Sequence, residues 1–478
     1  MSAALWLVVL PIGTVPIVYL LRRVKLGSMV ATLIALLMSW LALRLPTGTV
    51  LTVLGRSIEL DQLSQAVISL LFVTTAMLFL IPMLCPPYAG AGLHSGVKGR
   101  EEKFFYAVGL AILALFVAAS LSRHLGITAV FIQLAVILTV FIIQAERLDS
   151  TRASLRFLTL MSLATPLFLL AAWRIDLYQL SGGLQPAPNI QQTVFFVFFG
   201  FALWLAVVPF HGWLTTVAAE SAPATAAFVL SAFPAVAFST LLHLLADLPW
   251  LVESPQVVEA IILAGVFTAL VGGGLAGVQR GFSQLMGYAA LYDLGCMLTV
   301  LGVGGQSAVI TILVSLSVRA LALILVALGG SAIRMRVAGD GFAQVRGMAR
   351  YMPVAIGGLL LGGLTLAGAP MLAGFPARWQ LLRSVSEVNP VLPLLLALGG
   401  LGVAFGYLQG LRAALSLDLP TSHQNGRPIR FVVALQEPPA LLFLIGLLGV
   451  ICLALGLFPS LLIEPLQLLT LGFPAPIR

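Results

Sequence analysis

Charge is scarce in this chain. Of 478 residues, 9% are Asp, Glu, Lys or Arg, while 60% are hydrophobic. A soluble domain carries about 25% charged residues, so a water-soluble globule is excluded and an all-α polytopic membrane protein is expected. Cysteine is scarce too. Cys85, Cys296 and Cys452 are the only three, each in or beside an apolar run. With no CxxC and no Cys/His cluster, the sequence offers no framework for disulfides, a zinc site or an iron–sulfur centre. Neither a GxxxxGKS/T loop nor a GxGxxG after a strand is present, so no nucleotide site is expected. The reading is therefore of no metal, no cofactor and no direct NADH binding. Lysine is the third shortage: Lys25, Lys98 and Lys103 lie outside the apolar runs. The net charge of +8 proves topological, so nucleic acid is not implied.

What the chain does have is apolar length. A membrane span needs roughly 20 apolar residues, and the sequence provides fourteen candidates. They are 3–22, 28–46, 63–85, 104–122, 125–145, 156–174, 193–217, 223–246, 256–278, 285–303, 306–332, 352–384, 392–415 and 431–458. The first is followed, not preceded, by Arg22, Arg23 and Lys25. A cleaved signal peptide has its positive charge first, so this run is read as a retained span. Of the 25 Lys and Arg, 17 lie in or beside the loops after odd-numbered spans. Six, Arg44, Arg56, Arg123, Arg174, Arg383 and Arg478, lie on the opposite side. Positive charge marks the cytoplasmic side, so both termini are expected on the non-cytoplasmic side of a bacterial plasma membrane.

Spans 7 and 12 are interrupted. Span 7 runs into Val208-Pro-Phe-His-Gly-Trp-Leu-Thr-Thr-Val-Ala-Ala-Glu-Ser-Ala-Pro223, and span 12 holds Gly368, Pro370, Gly374 and Pro376. Pro209, Pro370 and Pro376 are read as helix breaks. A broken helix frees backbone polar groups, which persist at membrane depth only inside protein or beside water. The two broken spans are five apart and so run in opposite directions. That is the pattern of two inverted five-helix repeats, spans 4–8 and 9–13. The expected division is three N-terminal spans (1–100), a first repeat (101–250), a second (251–416) and a C-terminal span with its tail (417–478).

These residues resemble a known family. Pro209-Phe-His-Gly-Trp-Leu214 with Glu220-Ser-Ala-Pro223 is similar to the signature of the antiporter-like, proton-channel membrane subunits of respiratory complex I, shared with Mrp-type antiporters and membrane-bound hydrogenases. Gln279 to Gly295, Arg346 to Pro353, Leu366 to Arg378 and Asp61-Gln-Leu-Ser64 match further motifs in order. The resemblance implies fourteen or so helices, partner subunits of a multi-subunit respiratory complex in the lipid bilayer, and proton translocation. It also implies a Glu in span 5, a Lys in span 7, a Lys in span 8 and a Lys or Glu in span 12. Here those positions hold Gln133, Trp204, a stretch around Pro234 without a basic residue, and Arg378.

Ionisable residues inside spans are functional candidates because each costs about 2.5–3.5 kcal/mol at a helix centre. They are Asp293, Arg319 and Arg378, with His211, Glu220 and His243 around spans 7 and 8. Arg keeps its proton in proteins, so Arg319 and Arg378 suit fixed or water-ordering charge better than proton exchange. Asp293 can titrate, and it can equally pair with an arginine. His211 can relay a proton or cap freed carbonyls. Glu220 is read as a helix-dipole partner near the start of span 8. His243 and Gln133 are read as packed polar groups, and Trp204 as a plug. Two functions stay open: a proton-translocating subunit working through Asp293, Arg319 and Arg378, and a degenerate member that spaces or seals a membrane arm. A hydrogenase or Mrp-type host, and an ion or inorganic-carbon uptake partner, are the alternatives.

Overall fold

In the computed structural model, residues 3–21, 26–53, 56–84, 102–145, 151–180, 187–334, 339–416, 423–424, 427–428, 437–470 and 473 are described. Cys85, Arg22, Arg23, Lys25 and Lys98 lie outside the described residues. The described chain is helical, as its composition requires. After α1 (Trp6–Leu20) and α2 (Leu26–Arg44) comes an antiparallel hairpin, β1 (Thr49–Val53) and β2 (Arg56–Leu60), which pairs Thr49 with Leu60. Then follow α3 (Gln62–Leu84), α4 (Glu102–Leu121), α5 (Leu125–Ala145), α6 (Thr151–Leu180), α7 (Ala187–Trp204), α8 (Gly212–Glu220) and α9 (Pro223–Asp247). The second half holds α10 (Pro255–Val278), α11 (Phe282–Val303), α12 (Gly305–Arg334), α13 (Pro353–Ala367), α14 (Gly374–Val388) and α15 (Val391–Leu415). Last come α16 (Pro439–Leu457) and the short α17 (Ser460–Thr470).

Eleven of these helices are long and apolar enough to cross a membrane. With α1, and with α7–α8 and α13–α14 each taken as one interrupted span, the described residues give the fourteen spans expected. The fourth helix of each five-helix block is the interrupted one. The hairpin and α17 lay outside the expectation, because short strands and an 11-residue helix carry no span-length signal.

Burial sorts the helices. In α9 and α11, 89% of the apolar window is buried, and in α12 it is 83%; in α6, α15 and α16 it is 33%. A helix that is apolar all round belongs inside. So α9, α11 and α12 form the central layer, while α6, α15 and α16 present Leu163, Trp173, Leu401, Phe405, Phe443 and Val450 outward. Glycine lets some of these helices touch along the backbone. At Gly265 in α10 an added Cβ would lie 2.6 Å from the Thr299 backbone nitrogen of α11.

The two breaks are built alike. At the end of α7, the Val207 N–H donates to the Ala202 carbonyl (2.9 Å) and the Ala206 N–H to that of Leu203 (3.3 Å). At the end of α13, Ala369 donates to Leu364 (3.0 Å) and Gly368 to Thr365 (3.1 Å). Each is a Schellman cap, whose C′ residue is left-handed. That residue is Gly368 in the second break (φ +79°) and Ala206 in the first (φ +54°). Pro209 and Pro370 lie in the breaks, and the Val208–Pro209 bond is cis. Pro376 does not break a helix: it occupies the first turn of α14, where a missing N–H costs nothing.

The caps predict opposite responses. Gly368→Ala forces a left-handed alanine and drives its Cβ onto the aliphatic stem of Arg378. We expect a loss of about 1–2 kcal/mol, the left-handed penalty alone, read as a lower unfolding midpoint of the purified complex. Ala206→Gly relieves the same strain and leaves that midpoint unchanged or higher.

Candidate functional site

In the middle of the central layer two arginines converge on one carboxylate, Asp293. Asp293 of α11 is 4% exposed, Arg319 of α12 is 1% and Arg378 of α14 is 7%. Arg319 Nη1 donates to Asp293 Oδ2 at 2.7 Å, and Arg378 Nη2 pairs directly with Asp293 Oδ1. Arg378 also lies over the Tyr292 ring, 5.1 Å from its centroid. The Tyr292 hydroxyl donates to the Leu396 carbonyl of α15 (3.2 Å). Arginine suits this work because its fork satisfies several acceptors and its charge is weakly hydrated.

A proline supplies another acceptor. Pro234 lies inside α9 and has no N–H, so the Leu230 carbonyl four residues earlier loses its helical donor. Arg319 Nε donates to that carbonyl at 2.9 Å, and Arg319 Nη1 also reaches the Ala290 carbonyl at 2.8 Å. The guanidinium of α12 thus joins α9 to α11. Sequence reading treated Pro234 only as a lost lysine position; the freed i−4 carbonyl was the available signal.

The first break holds no such charge. Trp204, 2% exposed, packs against Phe168 (centroids 4.1 Å) and Phe201 (5.8 Å). Trp213 donates its indole N–H to the Leu203 carbonyl at 3.1 Å, satisfying an acceptor at the end of α7. The Val208 N–H donates to the Thr268 hydroxyl of α10 at 3.2 Å. Gln133 donates to the Ser162 hydroxyl and accepts from that of Thr165, both at 2.8 Å. His211 occupies the position before α8 and is half-buried.

The profile of the NADH:quinone oxidoreductase/Mrp antiporter transmembrane family matches residues 122–405, more than half of the chain. The chain belongs to this family. It is 26% identical over 399 residues to NADH-quinone oxidoreductase subunit N of Halorhodospira halophila, covering 78% of this chain and 79% of that protein. It is 27% identical over 301 residues to formate hydrogenlyase subunit 3 of Escherichia coli, covering 58% of this chain and 48% of that one. The match thus spans about half the length of the latter. Two solved structures share the fold. A chain of the Mrp complex from Dietzia has a TM-score of 0.78 at 18% identity, with 99% of this chain and 98% of that one covered. A chain of respiratory complex I from Thermus thermophilus has 0.71 at 22%, with 95% and 99% covered. These relatives and neighbours are subunits of multi-subunit membrane complexes, and this chain is an antiporter-like, multi-pass subunit of their family.

Within the family's scaffold, acidic side chains serve helix ends. Glu220, beside the start of α9, reaches across to the start of another helix. Its Oε2 accepts the Ala153 N–H at 2.8 Å, in the first turn of α6. Glu437 does the same for Ala355 in α13 (3.0 Å), and Asp340 for Ser283 in α11 (2.9 Å). Each satisfies an orphan N–H and faces the positive end of the helix dipole. At the opposite end of the bundle, Asp61 accepts the Ser64 N–H at 3.0 Å as the cap of α3. It also meets His243 Nε2 at 2.9 Å and Arg123 at 3.4 Å. The His243 Nδ1 contacts the Ser239 carbonyl at 2.8 Å, so His243 is a packed, bonded group. Burial raises the Asp61 pKa, but the bond and charge of His243, the Ser64 bond and Arg123 outweigh it and hold the carboxyl below the usual range.

A carboxylate with a depressed folded pKa contributes stability above its unfolded pKa, near 4, and loses it as pH falls through the folded value. Asp61→Asn should therefore lower the thermal midpoint at neutral pH, and the gap to wild type should close as pH drops below about 4. At the centre, Asp293→Ala strands two buried guanidiniums and should cost about 3–5 kcal/mol. Gln133→Ala should cost about 1–3 kcal/mol, for its two neutral partners. Retention of the subunit in the purified complex, titrated with denaturing detergent, separates the two.

Proposed function

We propose that this chain is an antiporter-like subunit of a bacterial complex-I-type oxidoreductase, or a related redox-driven complex, in which it seals and spaces the membrane arm. Quinone, NADH or hydrogen chemistry belongs to partner subunits. The termini lie on the non-cytoplasmic side of the plasma membrane, on the strength of the positive charge in loops after odd-numbered spans. Residues 101–250 and 251–416 act as two repeats with different fates.

One observation carries this reading. In the first repeat the position of the expected lysine holds Trp204, buried against Phe168 and Phe201, while Gln133 is tied to Ser162 and Thr165. An indole neither takes up nor releases a proton at physiological pH, and an apolar aromatic cluster excludes the water that would carry one. In the second repeat, Asp293, Arg319 and Arg378 serve as fixed charge. Two of the three cannot release a proton, and the third is held by both. A second reading, conduction through the second repeat alone, is favoured by the carboxylate of Asp293 in α11 lying against Arg378 of the broken span.

The test keeps the buried charge constant. The double variant Asp293→Asn with Arg378→Gln leaves one guanidinium, Arg319, and the same net +1. In the purified, reconstituted complex we expect its proton-to-electron ratio to equal that of wild type. A fall in that ratio with assembly and electron transfer intact overturns the sealing role and establishes conduction through the second repeat.

A further inference from the structure

The charge at the centre does not balance. Arg319 and Arg378 bring two positive charges, and Asp293 brings one negative. Of the chain's 17 acidic residues, the sequence puts the other 16 outside the apolar runs or at their ends. The nearest of these in role, Glu220, Asp340 and Glu437, are committed to the starts of α6, α11 and α13. Arginine cannot shed its proton to restore neutrality. A buried uncompensated charge costs several kcal/mol, so a counter-charge from outside the chain is strongly favoured.

Three further features say where it sits. Arg319 Nη2 and Arg378 Nε are buried N–H groups with no acceptor among the described residues. Their residues are 1% and 7% exposed. Arg378 lies in the second turn of α14, whose start is at the second break. That 15-residue helix has no side-chain cap and no acidic residue in its first turn. In its first turn Phe375 donates to the Leu372 carbonyl (3.0 Å) and Pro376 has no N–H, so what the helix start adds to the two guanidiniums is its positive dipole end. In broken membrane helices, such half-helix N-termini face anionic groups. The first break has the same backbone cap but no arginine, so it lacks this field.

We propose that the second break holds a small inorganic monovalent anion of the chloride class, bound by Arg319, Arg378 and the start of α14. Its charge brings the Asp293 cluster to neutrality. The inference rests on the charge count and unpaired donors, not on the sealing role, and its test reads no transport. Amide exchange of α13–α14 peptides is followed by mass spectrometry in the purified complex. Sodium chloride is compared with sodium gluconate at equal ionic strength. If opening of the break requires anion release, chloride at ten times its Kd slows exchange about tenfold. Arg378→Gln leaves Asp293 paired with Arg319 alone and should abolish the chloride effect. Arg319→Gln should do the same, which guards against one variant failing to assemble. Bromide should substitute for chloride. Equal exchange in both salts, or an undiminished chloride effect in both variants, overturns the proposal.

Discussion

The fold depends on how two buried guanidiniums are satisfied. Arg319 reaches the Leu230 carbonyl of α9, the Ala290 carbonyl of α11 and the carboxylate of Asp293. Arg378 reaches the same carboxylate from α14 and stacks on Tyr292, which bonds to α15. Five helices therefore meet through one acidic side chain. In hydrocarbon, burial of apolar surface does not drive helices together. Directional contacts of this kind fix which helix meets which. The most buried helices, α9, α11 and α12, are those that carry Pro234, Asp293 and Arg319.

Pro234 shows how a lost charge becomes a structural part. A proline in a membrane helix leaves one carbonyl without its donor, and that group must be satisfied nearby. Here the donor is Arg319, three spans further along the chain. The resemblance implies a lysine near this position in span 8; this chain instead presents an acceptor there and brings the positive charge from α12. Positive charge therefore stays at the centre, while its carrier changes from a side chain that can lose its proton to one that cannot.

Much of this was legible in the sequence because it rests on one-dimensional signals. Apolar length and loop charge gave fourteen spans, and the prolines placed both breaks. The motif around Pro209 to Trp213 identified the scaffold. Pairing was legible only as a choice: Asp293 was open to Arg319 or Arg378, and the structure gives it both. Other features were invisible for a physical reason. Glu220 lies next to α9 in sequence, yet it serves α6, because a carboxylate goes to whichever helix start packs closest. His243 and Asp61 are 182 residues apart, and no periodicity links them. Pro376 read as a breaker because proline interrupts helix interiors; at the first turn of α14 it does not.

The matched caps sharpen the contrast between the halves. Both broken spans end in the same Schellman geometry, so the backbone device is shared while the side chains around it differ. In the second half the left-handed position is Gly368, and Arg378 packs against the space a Cβ would fill. In the first half it is Ala206, a residue that pays for that conformation, and its neighbours are aromatic. A strained alanine persists only where surroundings over-determine it. Trp204, Phe168, Phe201 and the Trp213–Leu203 bond supply that constraint. The aromatic packing thus holds the first break in its conformation. In the second break the cap position is a relaxed glycine and Arg378 is anchored by Asp293, while the left-handed non-glycine residue is Met371 (φ +67°), beyond the cap. The first break is kept in shape by close-packed rings and the second by the charge pairing of Arg378 with Asp293.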